Sequence, residues 1–276
     1  EFVSGLFDGK TCGAPLAALI YNEDVRSAGY EDIKDSPRPS HADFTAEGKF
    51  RGYQDYRGGG HFSGRLTAAL CVAGGIAIQM LERNGIKVKA VLESVCGQES
   101  GIDELIAEAI SEGDSLGGTI ACTIGGLPCG VGEPMFDGLE NRISQAVFAI
   151  PAVKGIEFGD GFKLSELKGS EARDEYVASD GKIAITSNHN GGILGGISTG
   201  EAVNFRVCIK PTPSISIPSK SVSYSRGENV ELKISGRHDP CIALRAVPCV
   251  EAAAAIAVLD LMLGDINFSG RFVFND

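Results

Sequence analysis

The sequence predicts an α+β fold with mixed or antiparallel sheets, and three observations carry that prediction. Helical patterns come singly between groups of short strand patterns, without a regular βαβ alternation. The 276 residues are 43% hydrophobic, enough to bury a sizeable core in a single domain spanning residues 1–276. No internal similarity at a period of roughly 20 to 50 residues points to a solenoid or a propeller.

Taken in order, Phe2 to Ile20 reads as a strand, a Gly9-Lys10-Thr11 turn and a second strand. Asp24 to Tyr56 is polar, holds Pro37 and Pro39 and keeps no period, so it reads as a long loop or short helical pieces. Leu66 to Asn84 is an Ala-rich helix that Gly85 is placed to end. Val88 to Val95 suits a strand. Gly101 opens a helix to about Glu112, with Asp103 and Glu104 near its positive end. Gly117 to Ile124 is a strand, Leu139 to Phe148 a helix by apolar spacing, and Val153 to Phe158 a short strand. Val203 to Ile209 alternates as a strand and runs into Lys210-Pro211-Thr212-Pro213-Ser214. Val230 to Ile234 is a further strand, and Val250 to Leu263 a strongly apolar helix.

Composition excludes some functions. A net charge of −11 argues against a nucleic-acid partner, because phosphate backbones need a basic surface. No stretch reads as a membrane-spanning helix, and Glu1-Phe2-Val3-Ser4-Gly5 has neither the basic nor the apolar region of a signal peptide. The eight cysteines include no C-x-x-C pair. Cys71 and Cys208 sit among apolar neighbours, so reduced structural thiols and a cytoplasmic setting are expected, with no metal site.

Several stretches could carry chemistry. Arg38-Pro39-Ser40-His41-Ala42-Asp43 places an imidazole between a cation and a carboxylate, which can tune a proton donor or equally be a surface histidine. Arg57-Gly58-Gly59-Gly60-His61-Phe62-Ser63-Gly64-Arg65 leads into the Ala-rich helix. Its glycines would let backbone N–H groups approach a phosphate, or would serve only as a flexible turn. Ser187 to Ser198 offers amides and hydroxyls beside glycine backbone. Lys210 to Ser214 sets a cation and two hydroxyls at a strand end. Arg237-His238-Asp239-Pro240 groups a cation, an imidazole and a carboxylate before the last helix. A hydrolase reading finds Ser, His and Asp but no Gly-x-Ser-x-Gly before a helix. A binding module remains open on these residues alone.

Read together, these stretches resemble the chorismate synthase family from end to end. The family's Asn-Glu-Asp, Arg-Ser and Tyr stand at Asn22-Glu23-Asp24, Arg26-Ser27 and Tyr30. Its Arg-Pro-x-His-Ala-Asp and Asp-Tyr-Arg-Gly-Gly-Gly motifs are Arg38 to Asp43 and Asp55 to Gly60. Gly130 to Asp137, Val153 to Phe162, Gly169-Ser170-Glu171, Gly191 to Gly196, Lys210 to Ser214 and Arg237 to Cys241 continue the series in order, and Arg245-Ala246-Val247-Pro248 follows.

The resemblance implies a sandwich of helices between antiparallel sheets, assembled as a homotetramer. It implies an anti-1,4-elimination that converts 5-enolpyruvylshikimate 3-phosphate to chorismate and phosphate, with reduced FMN as cofactor and NADP as the associated nicotinamide. FMN contacts are implied for His61, Phe62, Ser63, Pro151, Ala152, Gly195, Lys210, Pro211, Thr212, Pro213, Ser214 and Arg237. Arg38 and Arg65 are implied as cations for the substrate anion, which would supply locally the positive charge that the whole chain lacks. His41 corresponds to the family histidine beside the flavin, and Asp239 to the carboxylate that assists proton transfer on its N5 side. The family's opening Gly-Glu-Ser-His-Gly segment does not precede Glu1, so the chain is expected to be N-terminally incomplete. The Val95–Gly101 connection is shorter than the family's, and the tail after Leu263 is atypical of it.

Overall fold

A computed structural model describes residues 1–22, 34–57, 59–179, 181–234 and 239–270. In chain order its first elements are β1 (Phe2–Ser4), β2 (Leu6–Phe7), β3 (Lys10–Thr11), β4 (Ala17–Ala18), α1 (Asp43–Phe50) and α2 (Thr67–Arg83). Next come β5 (Lys87–Val95), α3 (Ile102–Glu112), β6 (Gly118–Gly125), α4 (Leu139–Phe148) and β7 (Val153–Phe158). The hairpins β8 (Tyr176–Ser179) with β9 (Lys182–Ile185) and β10 (Ile193–Leu194) with β11 (Ile197–Ser198) follow. After these come β12 (Val203–Ile209), β13 (Ser219–Ser223), β14 (Glu228–Leu232) and α5 (Ala243–Gly264), with a single helical turn, Ile266–Ser269, behind it. The fold is α+β, as expected, and every strand pair among the described residues is antiparallel. The chain divides into two compact units, Glu1–Val72 with Pro213–His238, and Ala73–Thr212 with Asp239–Asp276.

The second unit is built on a four-stranded sheet of order β5-β6-β12-β7. Strand alternation explains its two faces. Val203, Phe205, Val207 and Ile209 are buried, and the register sets Phe205 opposite Cys122 and Val207 opposite Ile120, which are buried too. Burying such side chains contributes about 1.5–3 kcal/mol each. Helices α4 and α5 cover this face, α4 through Leu139, Ile143 and Val147, which share one side at a spacing of four. Gly74 of α2 faces Ala252 of α5, where an added Cβ would fall 2.2 Å from the alanine methyl, so this close helix contact requires glycine.

Four expectations need correction. Helix α5 begins at Ala243, not Val250, and runs through Pro248, because its buried face already includes Ala243 and Ala246. Strand β14 lies two residues earlier than the Val230–Ile234 reading. Cys208 is exposed, since the alternation that buries Val207 and Ile209 turns it outward. Two helices, Gly64–Arg83 and Ala243–Gly264, are long and apolar enough to cross a membrane, contrary to the reading that no stretch is. Their Ala, Gly and Cys content disguised them. The apolar window of Ala243–Gly264 is 61% buried within the protein, as suits a core helix.

In the first unit, β13 and β14 form a hairpin whose far end is tied to the chain before Arg38. The Asp35 carboxylate accepts hydrogen bonds from Ser223 Oγ and from Ser225 N and Oγ, Tyr224 N donates to Asp35 O, and Ser221 Oγ donates to Pro37 O at 2.6 Å. These bonds favour the ionised form and lower the pKa of Asp35, the Ser223 hydroxyl most of all. They also anchor the start of the candidate site.

Candidate functional site

Arg38 to His41 form a tight turn, closed by His41 N donating to Arg38 O at 3.2 Å. Pro39 takes the second position, and Ser40 the third with φ 58°, the pattern of a type II turn. The turn returns His41 toward Arg38, and Asp43, the first residue of α1, meets both. Arg38 Nε donates to Asp43 Oδ2 at 2.7 Å, and Arg38 Nη2 to Oδ1 at 2.8 Å, with the Arg38 backbone N–H adding 2.9 Å to Oδ2. His41 Nδ1 lies 2.6 Å from Asp43 Oδ1. The three side chains are only 8% (Arg38), 16% (His41) and 16% (Asp43) exposed. Burial opposes ionisation of Asp43, but the Arg38 and His41 hydrogen bonds outweigh it and hold the carboxyl far below its ordinary range. The Arg38 fork is therefore engaged by Asp43.

The glycine-rich stretch folds beside this cluster. Cβ atoms added at Gly59 and Gly60 would fall 2.9 Å from Ser63 Cα and 2.8 Å from Asp55 O, so both glycines are needed for the turn itself. Gly58 lies outside the described residues. Ser63 caps the next turn by accepting from Arg65 N at 3.2 Å, while His61, Phe62 and Arg65 are exposed. Phe62 and Asp43 line one small cavity of ≈ 20 Å³ with Gln54 and Tyr224. Among the described residues, Gln54 Oε1 and Tyr224 OH are buried without a hydrogen-bond partner. Pro213 and Ser214 belong to this unit as well.

The second unit gathers other expected residues at one end of its sheet. Strand register brings Val95, Gly118, Val153 and Ile209 to that end. Just beyond it, Lys210 N donates to Ala152 O at 3.0 Å, with Ala152 held at φ 72° after Pro151. Ser115 Oγ donates to Thr212 O at 2.7 Å, and the adjacent Leu116 N to Pro240 O at 2.7 Å, which draws the Lys210–Thr212 and Asp239–Pro240 stretches to neighbouring residues. Gly117 permits this, since a Cβ there would lie 3.0 Å from the Pro211 ring. Asp239 Oδ1 accepts from Cys241 N at 3.2 Å, and Oδ2 lies 2.8 Å from Arg245 Nε, close enough for an ion pair but poorly aligned for a hydrogen bond. Thr212 Oγ1 is buried without a partner among the described residues. Gly195 is not brought here. It sits in the β10–β11 turn, which follows Gly191 and Gly192 at the opposite end of β12. Arg237 and His238, like Glu23 to Tyr30, lie outside the described residues.

Comparison with known proteins decides the family. A family model described as chorismate synthase matches residues 1–263. The chain belongs to the chorismate synthase family. It is 43% identical over 286 residues to a chorismate synthase of Korarchaeum cryptofilum, covering 94% of this chain and 79% of that protein. It is 48% identical over 260 residues to one from Chitinophaga pinensis, covering 94% of this chain and 77% of the relative. A crystal structure of chorismate synthase shares the fold, with a TM-score of 0.73 at 24% identity over 95% of this chain and 77% of that one. The family comprises lyases of the shikimate pathway.

Sequence reasoning within the chorismate synthase motifs missed one residue that organises the Ser187–Asn190 loop in space. Asp174 accepts from Ser187 Oγ at 2.7 Å, His189 N at 2.8 Å, Asn190 N at 3.1 Å and Asn190 Nδ2 at 2.8 Å. Burial works against the charge, but these bonds prevail and bring Asp174 to a pKa of about 2. The adjacent His189 meets Asp160 at 2.7 Å through Nδ1. The polar run Ser187 to Asn190 was visible in sequence, whereas its carboxylate partner, 13 to 16 residues earlier, was not.

Proposed function

We propose that this chain catalyses the reduced-FMN-dependent anti-1,4-elimination of phosphate from 5-enolpyruvylshikimate 3-phosphate to give chorismate. The observation that carries this reading is the family match along residues 1–263. A cytoplasmic homotetramer belongs to the same reading.

The residues present suit FMN. Thr212 Oγ1 is a buried hydroxyl with no protein partner among the described residues, on a stretch whose Lys210 supplies positive charge, so a polar ligand group would satisfy what the chain does not. By the family resemblance, Pro151, Ala152, Lys210, Pro211 and Thr212 of the second unit and His61, Phe62, Ser63, Pro213 and Ser214 of the first would contribute cofactor contacts. When bound, reduced FMN supplies an electron-rich partner for cleavage of the carbon–oxygen bond, without net oxidation. His41 would hold a proton at the imidazole and present it to the bound cofactor. Asp239 would accept a proton through its carboxylate, which Arg245 Nε approaches to 2.8 Å. Arg65, exposed ahead of α2, is free to turn toward a phosphate.

Two measurements on the purified protein test the reading. FMN fluorescence should show saturable binding that tightens when the phosphorylated substrate is added. Anaerobic incubation with dithionite-reduced FMN and substrate should release phosphate in equal amount to chorismate. Absence of saturable FMN binding at any substrate concentration would sink it.

A further inference from the structure

We propose that Asp43 is a positioning residue for His41, fixing the imidazole with a hydrogen on Nδ1 and leaving Nε2 as the nitrogen that takes up and passes on the working proton, while Arg38 acts through Asp43 rather than on the substrate. The inference deepens the proposed function, on which its mechanistic meaning rests, but the geometry is independent of any ligand.

The hydrogen-bond inventory of the cluster allows one arrangement. An ionised carboxylate only accepts, so the 2.6 Å contact requires Nδ1 to carry the hydrogen. Arg38 Nη2 also lies 3.0 Å from Nδ1, but a guanidinium only donates, and two donors cannot bond one another. Its hydrogen goes instead to Asp43 Oδ1 at 2.8 Å. Both carboxylate oxygens are thereby occupied, Oδ2 by Arg38 Nε and the Arg38 backbone, Oδ1 by Arg38 Nη2 and His41. Asp43 also opens α1, where the helix dipole favours its negative charge. The depressed pKa of its carboxyl agrees with a permanently ionised acceptor.

With Nδ1 committed, Nε2 is the atom left to exchange a proton with a ligand. Among the described residues it has no hydrogen-bond partner. The short turn through Pro39 and Ser40 and the ion pair together leave the ring little rotational freedom. This is the logic by which a carboxylate orients a catalytic histidine without itself exchanging a proton. It also changes the expectation for Arg38. With its fork on a carboxylate and 8% exposure, it stabilises the orienting group instead of reaching a phosphate.

The test uses the full chain labelled with ¹⁵N-histidine, whose four histidines give a sparse spectrum. Long-range ¹H–¹⁵N correlations, recorded where the rings are neutral, distinguish the two tautomers, and a His41→Gln sample assigns the signal. The expected result is His41 protonated on Nδ1. Protonation on Nε2, or a fast mixture of the two, overturns the proposal. In Asp43→Asn, the one remaining oxygen should stay on the Arg38 backbone N–H and Nε, which turns the amide NH2 toward Nδ1, so His41 should move to the Nε2–H form. The kcat should then fall at least about a hundredfold with KM within about threefold. In Arg38→Lys the charge remains, so the Nδ1–H tautomer and the KM for the phosphorylated substrate should persist. A KM raised tenfold or more by Arg38→Lys, with the tautomer intact, would show that Arg38 binds substrate and would overturn its assigned role. Should Asp43→Asn not fold, the parent spectrum and Arg38→Lys still decide. A protein that releases no phosphate yet shows Nδ1–H would defeat the proposed function and leave the positioning geometry standing.

Discussion

Two histidine–aspartate pairs occur among the described residues, with nearly equal contact distances and different surroundings. His41 Nδ1 lies 2.6 Å from Asp43, and His189 Nδ1 lies 2.7 Å from Asp160. In the first pair both side chains are 16% exposed, and an arginine fork saturates the carboxylate. In the second both are 32% exposed. There the backbone already joins the two loops, with Asp160 N donating to His189 O at 2.8 Å and His189 N donating to Asp174 at 2.8 Å. Distance alone therefore does not distinguish a poised histidine from a loop tie. The third partner does: a side-chain cation that fixes the acceptor marks the first, and a backbone already pinned marks the second.

The largest expected effect breaks the comparison most directly. His41→Ala should lower kcat by about 10²- to 10⁴-fold, the usual contribution of a positioned proton donor, with FMN still bound. His189→Ala should leave kcat within about fivefold and instead lower the melting temperature. Steady-state phosphate release at saturating cofactor, beside thermal unfolding, reads both. Equal losses of kcat in the two variants would mean that both pairs face the reaction and that the distinction is mistaken.

A smaller effect sharpens the loop-tie side through pH. Asp174 is held at about 2, below the ordinary carboxylate value near 3.8, because the folded loop donates four hydrogen bonds to its charged form. A group depressed on folding contributes stability that is complete above the unfolded pKa and is lost as pH falls through the folded one. The contribution should therefore be full above pH ~4 and fade toward pH ~2. Asp174→Asn should be less stable than the parent near neutral pH, and the two should converge on acidification. Urea unfolding at several pH values checks this, and a gap that stays constant with pH would exclude the carboxylate's charge as the cause.

How much of this was legible in sequence follows burial and sequence distance. Helix α4 matches its expected bounds because Leu139, Ile143 and Val147 repeat on one buried face. Strand β12 matches because its buried residues alternate strictly. The β8–β9 hairpin was missed because it buries little: Tyr176 is 63% and Ile183 80% exposed, so no alternation was imposed on its sequence. The start of α5 was missed because Pro248 reads as a helix beginning, while packing carries the helix five residues further back. At the site, the Arg38–His41–Asp43 group could be suspected because it falls within six consecutive positions. The meeting of Ser115 with Thr212, 97 residues apart, could not, because only tertiary packing brings them together.

The smallest effect concerns the turn that presents His41. Ser40 has φ 58°, a left-handed conformation that costs a side-chain-bearing residue roughly 1–2 kcal/mol relative to its preferred basins. Glycine adopts that conformation without penalty, although it adds freedom to the unfolded chain worth about 0.4–1 kcal/mol. Ser40→Gly should therefore change stability by less than about 1 kcal/mol, in the stabilising direction, and leave kcat within twofold. A β-branched residue is the informative contrast. Ser40→Val would be a true outlier at this φ, and relief could come only by opening the turn, which separates Arg38 O from His41 N. Opening it would also move His41 away from Asp43, so Ser40→Val should lower kcat together with stability. Chemical denaturation and turnover of the two variants, measured side by side, test the argument. If valine were accepted as readily as glycine, the turn would not be what holds His41 on its carboxylate, and the ion pair alone would have to account for the geometry.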